Sequence, residues 1–408
     1  MRAMKNSGVE WIGEIPENWR IIKFKYLYNN SNAGEVIDKG YWNIGEELLY
    51  TCQRSPMKSN FSDFPDIKRT TINDLLLTRN ATPYIFKPET NAIYSNVVQR
   101  VTIKEEFCID YIQYATQYGI SKAIAQGDTI PSYNMQIWDN VYIPNPSIDE
   151  QYAIVAYLNK SLSYIDNIIE KQQQVIEKLK EYKLSVITEA VTKGLDPDAE
   201  MKDSGVEWIG RIPEKWNVYR IGALYSERKE QGSDELPILT VSINTGVSDR
   251  ELADDETSRI FVRSEDKSKY MRVYPGDLTY NMMRAWQGAF GAVRVDGMVS
   301  PAYVIAKPKR EIDSRYMEAL LRTPAAKEEM KRYSHGIADF RLRLYWEKFK
   351  YLKICFPPIE EQKAIADYLD KKCLAIETAI SKKQAILDKL AEYKKSLIYE
   401  VVTGKKEV

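Results

Sequence analysis

The sequence predicts an α+β fold in which two globular regions of mixed α and β structure, in a pseudo-two-fold arrangement, are separated by two long helices that form an antiparallel coiled coil. Three observations predict this fold: a motif that opens each half of the chain, a second motif that begins each helix, and a heptad pattern along both helices. With 408 residues, each region is long enough to bury a core of its own.

The opening motif relates residues 4–19 to residues 201–216, with thirteen of sixteen positions identical at an offset of 197. The second motif relates residues 151–158 to 362–369 at an offset of 211. The long stretches between the paired segments share little similarity. We call the repeated motifs the frame and the dissimilar stretches between them the fillings. A constant frame around a variable filling, present twice, predicts a recognition protein with two separate binding regions, or heads. The tryptophans that recur in the frame are predicted to pack against the helices; they are Trp11, Trp19, Trp208 and Trp216.

The helix boundaries follow from local signals. The blocks are a first globular region, a first helix, a linker with the second globular region, and a second helix, at residues 1–148, 149–193, 194–358 and 359–408. Ser147 and Glu150 have the spacing of a capping box, and Gly194 with Pro197 supplies a stop signal. The proline pair at 357–358 precedes the second helix, where proline is well tolerated.

Apolar residues recur along both helices at alternating intervals of three and four. The principal positions of this seam are Leu158, Ile165, Gln172 and Leu179 in the first helix and Leu369, Ile376, Lys383 and Leu390 in the second. Lys183 and Lys394 are further polar positions at matching places. A sustained heptad predicts a coiled coil between the two helices. The alternative, in which each helix packs on its own globular region only, stays open at this point.

The two globular regions contain short runs that favour strands, interrupted by helical stretches. The strand-like runs are residues 48–51, 74–78, 92–94 and 97–103 in the first region and 236–241, 277–280, 291–295 and 302–306 in the second. Residues 109–118 and 314–333 are predicted to be helical. Each region is therefore predicted to be α+β, without a defined strand order.

The net charge of the chain limits how it could bind a polyanion such as DNA. Fifty-eight basic and fifty-eight acidic residues cancel, which counts mildly against a nucleic acid partner. Residues 217–355 contain 24 Lys and Arg against 20 Asp and Glu, whereas residues 20–143 contain 13 of each. Any DNA-binding charge must therefore be arranged on one face.

Cysteine usage and hydropathy predict a cytoplasmic protein without a membrane partner. The cysteines are far apart and form no C-x-x-C, which is typical of unpaired thiols in a reducing compartment; they are Cys52, Cys108, Cys355 and Cys373. No apolar run approaches the ~20 residues that span a bilayer, and no apolar stretch follows the N-terminus as in a signal peptide.

No catalytic or metal-ligating constellation is found, so we predict no catalytic residue, no metal site and no cofactor on this chain. It has one histidine, His335, and neither a phosphate-binding loop nor an amino-methylation motif. Three Glu-x-Lys triplets fit the short pattern of one nuclease class, but all lie on the predicted helices, where they are ordinary coiled-coil charge. A nuclease is the weakest of the functions considered.

The duplicated motifs resemble the specificity subunits of type I restriction-modification systems over essentially the whole chain. The resemblance is carried by Ser-Gly-Val-Glu-Trp-Ile-Gly-x-Ile-Pro-Glu-x-Trp at 7–19 and 204–216, by Pro-x-x-x-Glu-Gln at 146–151 and 357–362, and by the linker at 191–197. It implies two target recognition domains, each reading one half of a bipartite duplex DNA site. Because the two fillings differ, an asymmetric site is expected.

The resemblance also implies partners and cofactors. The chain would be non-catalytic by itself and would direct two methylation subunits and two restriction subunits, as part of a site-specific endonuclease and adenine DNA methyltransferase complex. S-adenosylmethionine, ATP and magnesium would be used by those partners. Because the chain is close to neutral, the methylation subunits are expected to add basic surface. The alternative is a coiled-coil scaffold whose heads bind proteins without DNA specificity.

Candidate DNA-reading residues were sought in loops after strands, where arginine can pair with guanine and Asn or Gln with adenine. The candidates of the first region are Arg79, Asn80, Thr82, Tyr84, Gln126, Thr129, Ser132, Tyr133 and Asn134. Those of the second are Arg284, Trp286, Gln287, His335, Arg341 and Arg343. For each residue, an ordinary solvated loop remains the alternative.

Overall fold

The computed structural model describes residues 2–80, 82–123, 134–233, 235–251, 269–336 and 342–408. They pack into two compact units, unit 1 with Met1–Gln173 and Ala385–Val408 and unit 2 with Gln174–Gln384. Each unit contains one half of each long helix. Within the described ranges, no helix is long and apolar enough to cross a membrane.

The helices bear out the predicted boundaries closely. The helices are α1 (Ile109–Ala123), α2 (Met135–Asp139), α3 (Ile148–Lys193), α4 (Ile221–Leu224), α5 (Ser314–Leu321), α6 (Pro324–Tyr333), α7 (Trp346–Phe349) and α8 (Ile359–Val402). The capping box is present, because the Ser147 hydroxyl accepts from the Glu150 amide at 3.4 Å and the Glu150 carboxylate accepts from the Ser147 amide at 3.2 Å. The predicted helix at 314–333 is interrupted, because Thr323 caps a new helix that begins with Pro324.

The strands of unit 1 are β1 (Met4–Asn6), β2 (Glu14–Pro16), β3 (Arg20–Lys23), β4 (Tyr28–Ala33), β5 (Trp42–Tyr50), β6 (Met57–Ser59), β7 (Asp74–Thr78), β8 (Ile85–Phe86), β9 (Ile93–Tyr94), β10 (Val98–Ile103) and β11 (Tyr142–Asn145). A four-stranded antiparallel sheet in the order β4-β10-β7-β8 forms its centre. The frame hairpin β1-β2, the pair β3-β11 and the three-stranded sheet β6-β5-β9 surround it.

The strands of unit 2 are β12 (Met201–Asp203), β13 (Arg211–Pro213), β14 (Asn217–Arg220), β15 (Tyr225–Glu227), β16 (Val241–Ser242), β17 (Gly246–Val247), β18 (Met271–Val273), β19 (Leu278–Asn281), β20 (Phe290–Ala292), β21 (Gly297–Val299), β22 (Tyr303–Pro308) and β23 (Lys353–Phe356). The central sheet has the order β15-β22-β19-β20. Position by position, this is the arrangement of unit 1. The two fillings therefore share a sheet topology despite their dissimilar sequences.

Two strand predictions are largely wrong. Of the run 291–295, only Gly291 and Ala292 lie in a strand, at the end of β20. Of the run 236–241, only Val241 lies in a strand, and Ile238 makes an isolated bridge to Met298. The segment is held by single hydrogen bonds, from the Leu239 amide to the Met298 carbonyl at 2.8 Å and from the Met298 amide to the Pro237 carbonyl at 2.9 Å. Pro237 has no amide hydrogen to donate, so a regular ladder cannot form there.

The two long helices pair in antiparallel fashion inside each unit. In unit 1, Leu158 and Ile165 of α3 share a buried core with Leu397 near the end of α8. In unit 2, Ala190 near the end of α3 shares a core with Leu369 near the start of α8. The principal seam positions are all buried or half-buried, which confirms the coiled coil over separately packed helices.

The polar positions Lys183 and Lys394 form ion pairs across this seam. Lys394 donates to the Asp166 carboxylate at 2.6 and 2.7 Å in unit 1, and Lys183 pairs with Glu377 in unit 2. Both pairs join α3 to α8 and are related by the repeat. Since their side chains are partly exposed, each contributes ~0–1 kcal/mol. Because both pairs form only when α3 and α8 are aligned as observed, they favour this register of the two helices.

The frame attaches each globular region to a helix start through a tryptophan. Trp19 and Trp216 are buried, and their indole nitrogens donate to Glu150 at 3.2 Å and to Glu361 at 2.9 Å. Trp11 and Trp208 are half-buried against the two main cores. Packing of the frame tryptophans, rather than base stacking, is therefore confirmed.

Candidate nucleic-acid interface

In unit 1, a buried tryptophan connects two places at which DNA-reading residues are predicted. The loop of Arg79 and Asn80 follows β7, and Asn134 caps α2 by accepting a hydrogen bond from the Ile137 amide at 3.2 Å. Trp138 of α2 is fully buried, and its indole nitrogen donates to the Thr78 carbonyl at 3.1 Å. The helix that Asn134 caps is thereby fastened to the end of the strand from which the loop departs.

Side chains around this loop differ in their availability. Asn80 and Thr82 are exposed, whereas the Arg79 guanidinium donates to the Asn96 carbonyl at 3.4 Å. Tyr84 is half-buried with its ring edge-on to Phe86 at 4.6 Å, so its ring belongs largely to the core. The predicted residues outside the described ranges are Gln126, Thr129, Ser132, Tyr133 and Arg341.

Unit 2 brings its two predicted segments together. The first follows β19 and forms a 3-10 turn, Ala285–Gln287, which contains Trp286 and Gln287. The second is a backbone pair between His335 and Arg343, whose amides and carbonyls bond reciprocally at 3.0 Å. Leu344, next to Arg343, donates to the Met282 carbonyl at 2.9 Å and so joins the two segments.

Arg284 and Arg343 carry guanidinium groups that no hydrogen bond or ion pair ties to any residue the structure describes. Arg343 and His335 are exposed, and Arg284 is half-buried. Several other arginines of unit 2 are occupied; Arg228, for example, forms a bidentate pair with Asp277. The donors of Arg284 and Arg343 thus remain available to an external acceptor.

The loops that follow β7 and β19, where DNA-reading residues are predicted, occupy corresponding places in the two units. Each leaves the strand third in the order of its central sheet, β7 in unit 1 and β19 in unit 2. Under β19, Phe349 of α7 packs edge-on against Tyr280 at 4.9 Å and lies 5.3 Å from Phe290, as Trp138 of α2 supports β7. The loop sequences are unrelated, but their supports are equivalent.

A buried aspartate lies at the beginning of each of these strands. Asp277 accepts from Arg228 at 2.9 and 3.1 Å and from the Tyr274 amide at 3.0 Å. Burial raises the pKa of Asp277, and the hydrogen bonds from Arg228 and Tyr274 oppose that rise. Asp74 of unit 1 accepts instead from the Thr71 amide and from two threonine hydroxyls, with Arg100 at 3.8 Å.

The described residues offer little for catalysis. No group of three or more His, Cys, Asp and Glu side chains in the described ranges is placed to hold a metal ion. Burial raises the pKa of the Cys355 thiol to about 12, so it is not poised as a nucleophile.

Sequence reasoning missed two lysines of α6, Lys327 and Lys331, which lie beside the reading turn of unit 2. The Lys331 ammonium is 5.3 Å from the centre of the Trp286 ring. Their spacing of four residues, which places both on one face of a helix, was the available signal.

Comparison with known proteins finds similar proteins of one kind. The family described as "Type I restriction modification DNA specificity domain" matches residues 292–386. The type I restriction enzyme MjaVIII specificity subunit of Methanocaldococcus jannaschii is 25% identical, over 96% of this chain and 93% of the relative. These comparisons support a type I restriction-modification specificity subunit.

Other matches agree with this specificity subunit over nearly its full length. The putative type I restriction enzyme MjaX specificity subunit of the same organism is 24% identical over 97% of this chain and 95% of the relative. A chain solved in a study of complex assembly and conformational transition of the type I R-M system has a TM-score of 0.68 at 13% identity, covering 96% of this chain and 99% of that one. The HsdS subunit from Thermoanaerobacter tengcongensis has a TM-score of 0.53 at 14% identity, covering 96% and 98%.

The family match of this specificity subunit begins in β20 and extends into α8. It contains the His335–Arg343 pair and α6, while the Ala285–Gln287 turn immediately precedes it. The predicted DNA-reading residues of unit 2 that the structure describes therefore lie in and next to the matched segment.

Proposed function

We propose that this chain is the non-catalytic subunit that reads a bipartite, asymmetric duplex DNA site, with one half-site contacted by each unit. The observation that carries the proposal is the pair of equivalent supports that present unrelated polar loops, residues 79–84 after β7 and 281–288 after β19. Two heads of one topology with different reading residues are what a site with two different halves requires.

The proposed partners follow from the family. Two methylation subunits and two restriction subunits would assemble with this chain in the cytoplasm and would use S-adenosylmethionine, ATP and magnesium. This chain would recognise the DNA site, and its partners would catalyse the reactions. Because it is neutral overall, part of the phosphate contact area would lie on the methylation subunits.

Selection from random duplexes tests the proposal. The full chain, assembled with its methylation subunits, is incubated with a random duplex pool, and the bound fraction in a gel shift is sequenced. We expect enrichment of two unlike half-sites with a fixed gap between them. Enrichment of no sequence by the assembled complex would defeat the proposal and leave the scaffold alternative.

Arg284 provides a residue-level prediction. If its guanidinium pairs with guanine, Arg284→Ala should relax base preference at one position of one half-site by ~1–3 kcal/mol and leave the other half-site unchanged. Arg294→Ala removes an exposed arginine of the same unit and is the matched control. Repeating the selection with both variants measures the effect. Weakening that is uniform over all sequences would reassign Arg284 to phosphate, and an unchanged motif and affinity would remove it from the site.

A further inference from the structure

Helix α6 places two lysines against the reading turn of unit 2. Lys327 and Lys331 are one helical turn apart and therefore lie on one face. Lys331 approaches the Trp286 ring of the turn, where a cation–π contact holds the two elements together. Trp286 also donates its indole N–H to the Met283 carbonyl at 3.2 Å. The turn is thus fixed to α6 at one point by Trp286.

Lys327 meets the turn at a second point, where only a glycine leaves room. Gly288 ends the turn with a φ of +100°, in the left-handed region. A Cβ built on Gly288 would lie 2.6 Å from Cε and 3.0 Å from Nζ of Lys327. The lysine side chain therefore occupies the space that a side chain at position 288 would need, and its ammonium ends beside the turn.

The Lys327 ammonium is partly buried, and no hydrogen bond or salt bridge joins it to any residue that the structure describes. The charged group that acts on the pKa of this ammonium is another cation, Arg322. Arg322 is already occupied by Glu318 at 2.9 Å and by the Ile243 carbonyl at 2.7 Å. Burial, together with Arg322, lowers the pKa of Lys327. A cation that loses hydration without gaining an anion is unfavourable, so an anion from outside the chain would be stabilised here.

We propose that Lys327 binds a backbone phosphate of DNA and thereby fixes the Ala285–Gln287 turn over the second half-site. This inference rests on the proposed function. An ammonium is a point charge without the planar fork that distinguishes base edges, so a phosphate is the fitting ligand. Lys327 would then position the turn, while Arg284 reads the base.

Salt dependence tests the phosphate contact. Binding of the full chain, assembled with its methylation subunits, is measured on the selected duplex and on one with the second half-site scrambled, at 50–200 mM salt. Because one phosphate contact contributes about 0.9 to the slope of log affinity against log salt, wild type should lose roughly threefold more affinity across this range than Lys327→Met. The difference should be the same on both duplexes.

Matched variants separate charge from position. Lys327→Arg keeps the charge and should keep the wild-type slope, and Lys215→Met removes an exposed lysine of the same unit and should also leave it unchanged. Gly288→Ala should displace the end of Lys327 and lower the slope as Lys327→Met does. Gly276→Ala has a similar φ of +94° but open space around its Cβ, so it should pay only the backbone strain and keep the slope.

An unchanged slope in Lys327→Met, or a loss confined to the cognate duplex, would overturn the phosphate assignment. A wild-type complex that selects no gapped sequence would instead overturn the proposed function. The slope difference at Lys327 is still measurable on random duplex in that case, so the two failures are distinguishable.

Discussion

Trp138→Ala is expected to destabilise unit 1 by ~3–5 kcal/mol, since it empties a large, fully buried site and removes the donor to the Thr78 carbonyl. The loop after β7 loses its support at the same time. We therefore expect base preference to fade in the half-site read by unit 1 and to persist in the other. Hydrogen exchange of peptides from both units, together with selection from random duplexes, measures the two effects.

Two further variants calibrate this result. Trp138→Phe keeps most of the ring volume and loses only the N–H donor, so a cost of ~1 kcal/mol is expected. Phe349→Ala removes the equivalent support in unit 2, where Phe349 packs on Tyr280 and Phe290. It should reverse the pattern, with faster exchange in unit 2 and loss of the other half-site. If either alanine variant impaired both half-sites equally while exchange changed in one unit only, the equivalence of the supports would be wrong.

Arg228→Met is expected to cost about 3–5 kcal/mol in unit 2, because it leaves the buried Asp277 carboxylate without its bidentate partner. Arg100→Met is the corresponding change in unit 1 and should cost less. Asp74 keeps hydrogen bonds from the Thr71 amide at 2.7 Å and from the Thr102 hydroxyl at 2.6 Å. Denaturant unfolding followed by hydrogen exchange assigns each loss to its unit.

The loss in Arg228→Met should depend on pH. Burial already raises the native pKa of Asp277, and removing Arg228 raises it further. A carboxyl group with a raised native pKa binds a proton more readily in the folded state, so stability falls as pH rises from the ordinary pKa to the raised one. The variant should therefore recover part of its stability on acidification, and Asp277→Asn in the same chain should recover part of it at neutral pH. A deficit independent of pH would show that the charge of Asp277 is not its cause.

Local sequence signals predicted both long helices and, for the first, both ends to within one residue. These signals are the capping by Ser147 and Glu150, the stop at Gly194 and the heptad from Leu158 onward. Each connects residues only three or four positions apart, so it can be recognised from the sequence without knowledge of the fold. The duplicated frame likewise predicted the burial of Trp19 and Trp216. The resemblance to type I specificity subunits came from the same motifs, and the comparisons support it.

The shared topology of the two sheets, β4-β10-β7-β8 and β15-β22-β19-β20, was decided only by tertiary structure. Strand pairing joins residues far apart in sequence, and its side-chain requirements are met by many different apolar residues, so two unrelated fillings can adopt one order without similarity. For the same reason Lys327 could not be identified as a neighbour of Gly288, nor Trp138 as the support of Thr78, before the chain was folded. The sequence by itself determined a duplicated chain with two long helices and a resemblance to type I specificity subunits. The fold determined which loops its two sheets present, because long-range packing places those loops.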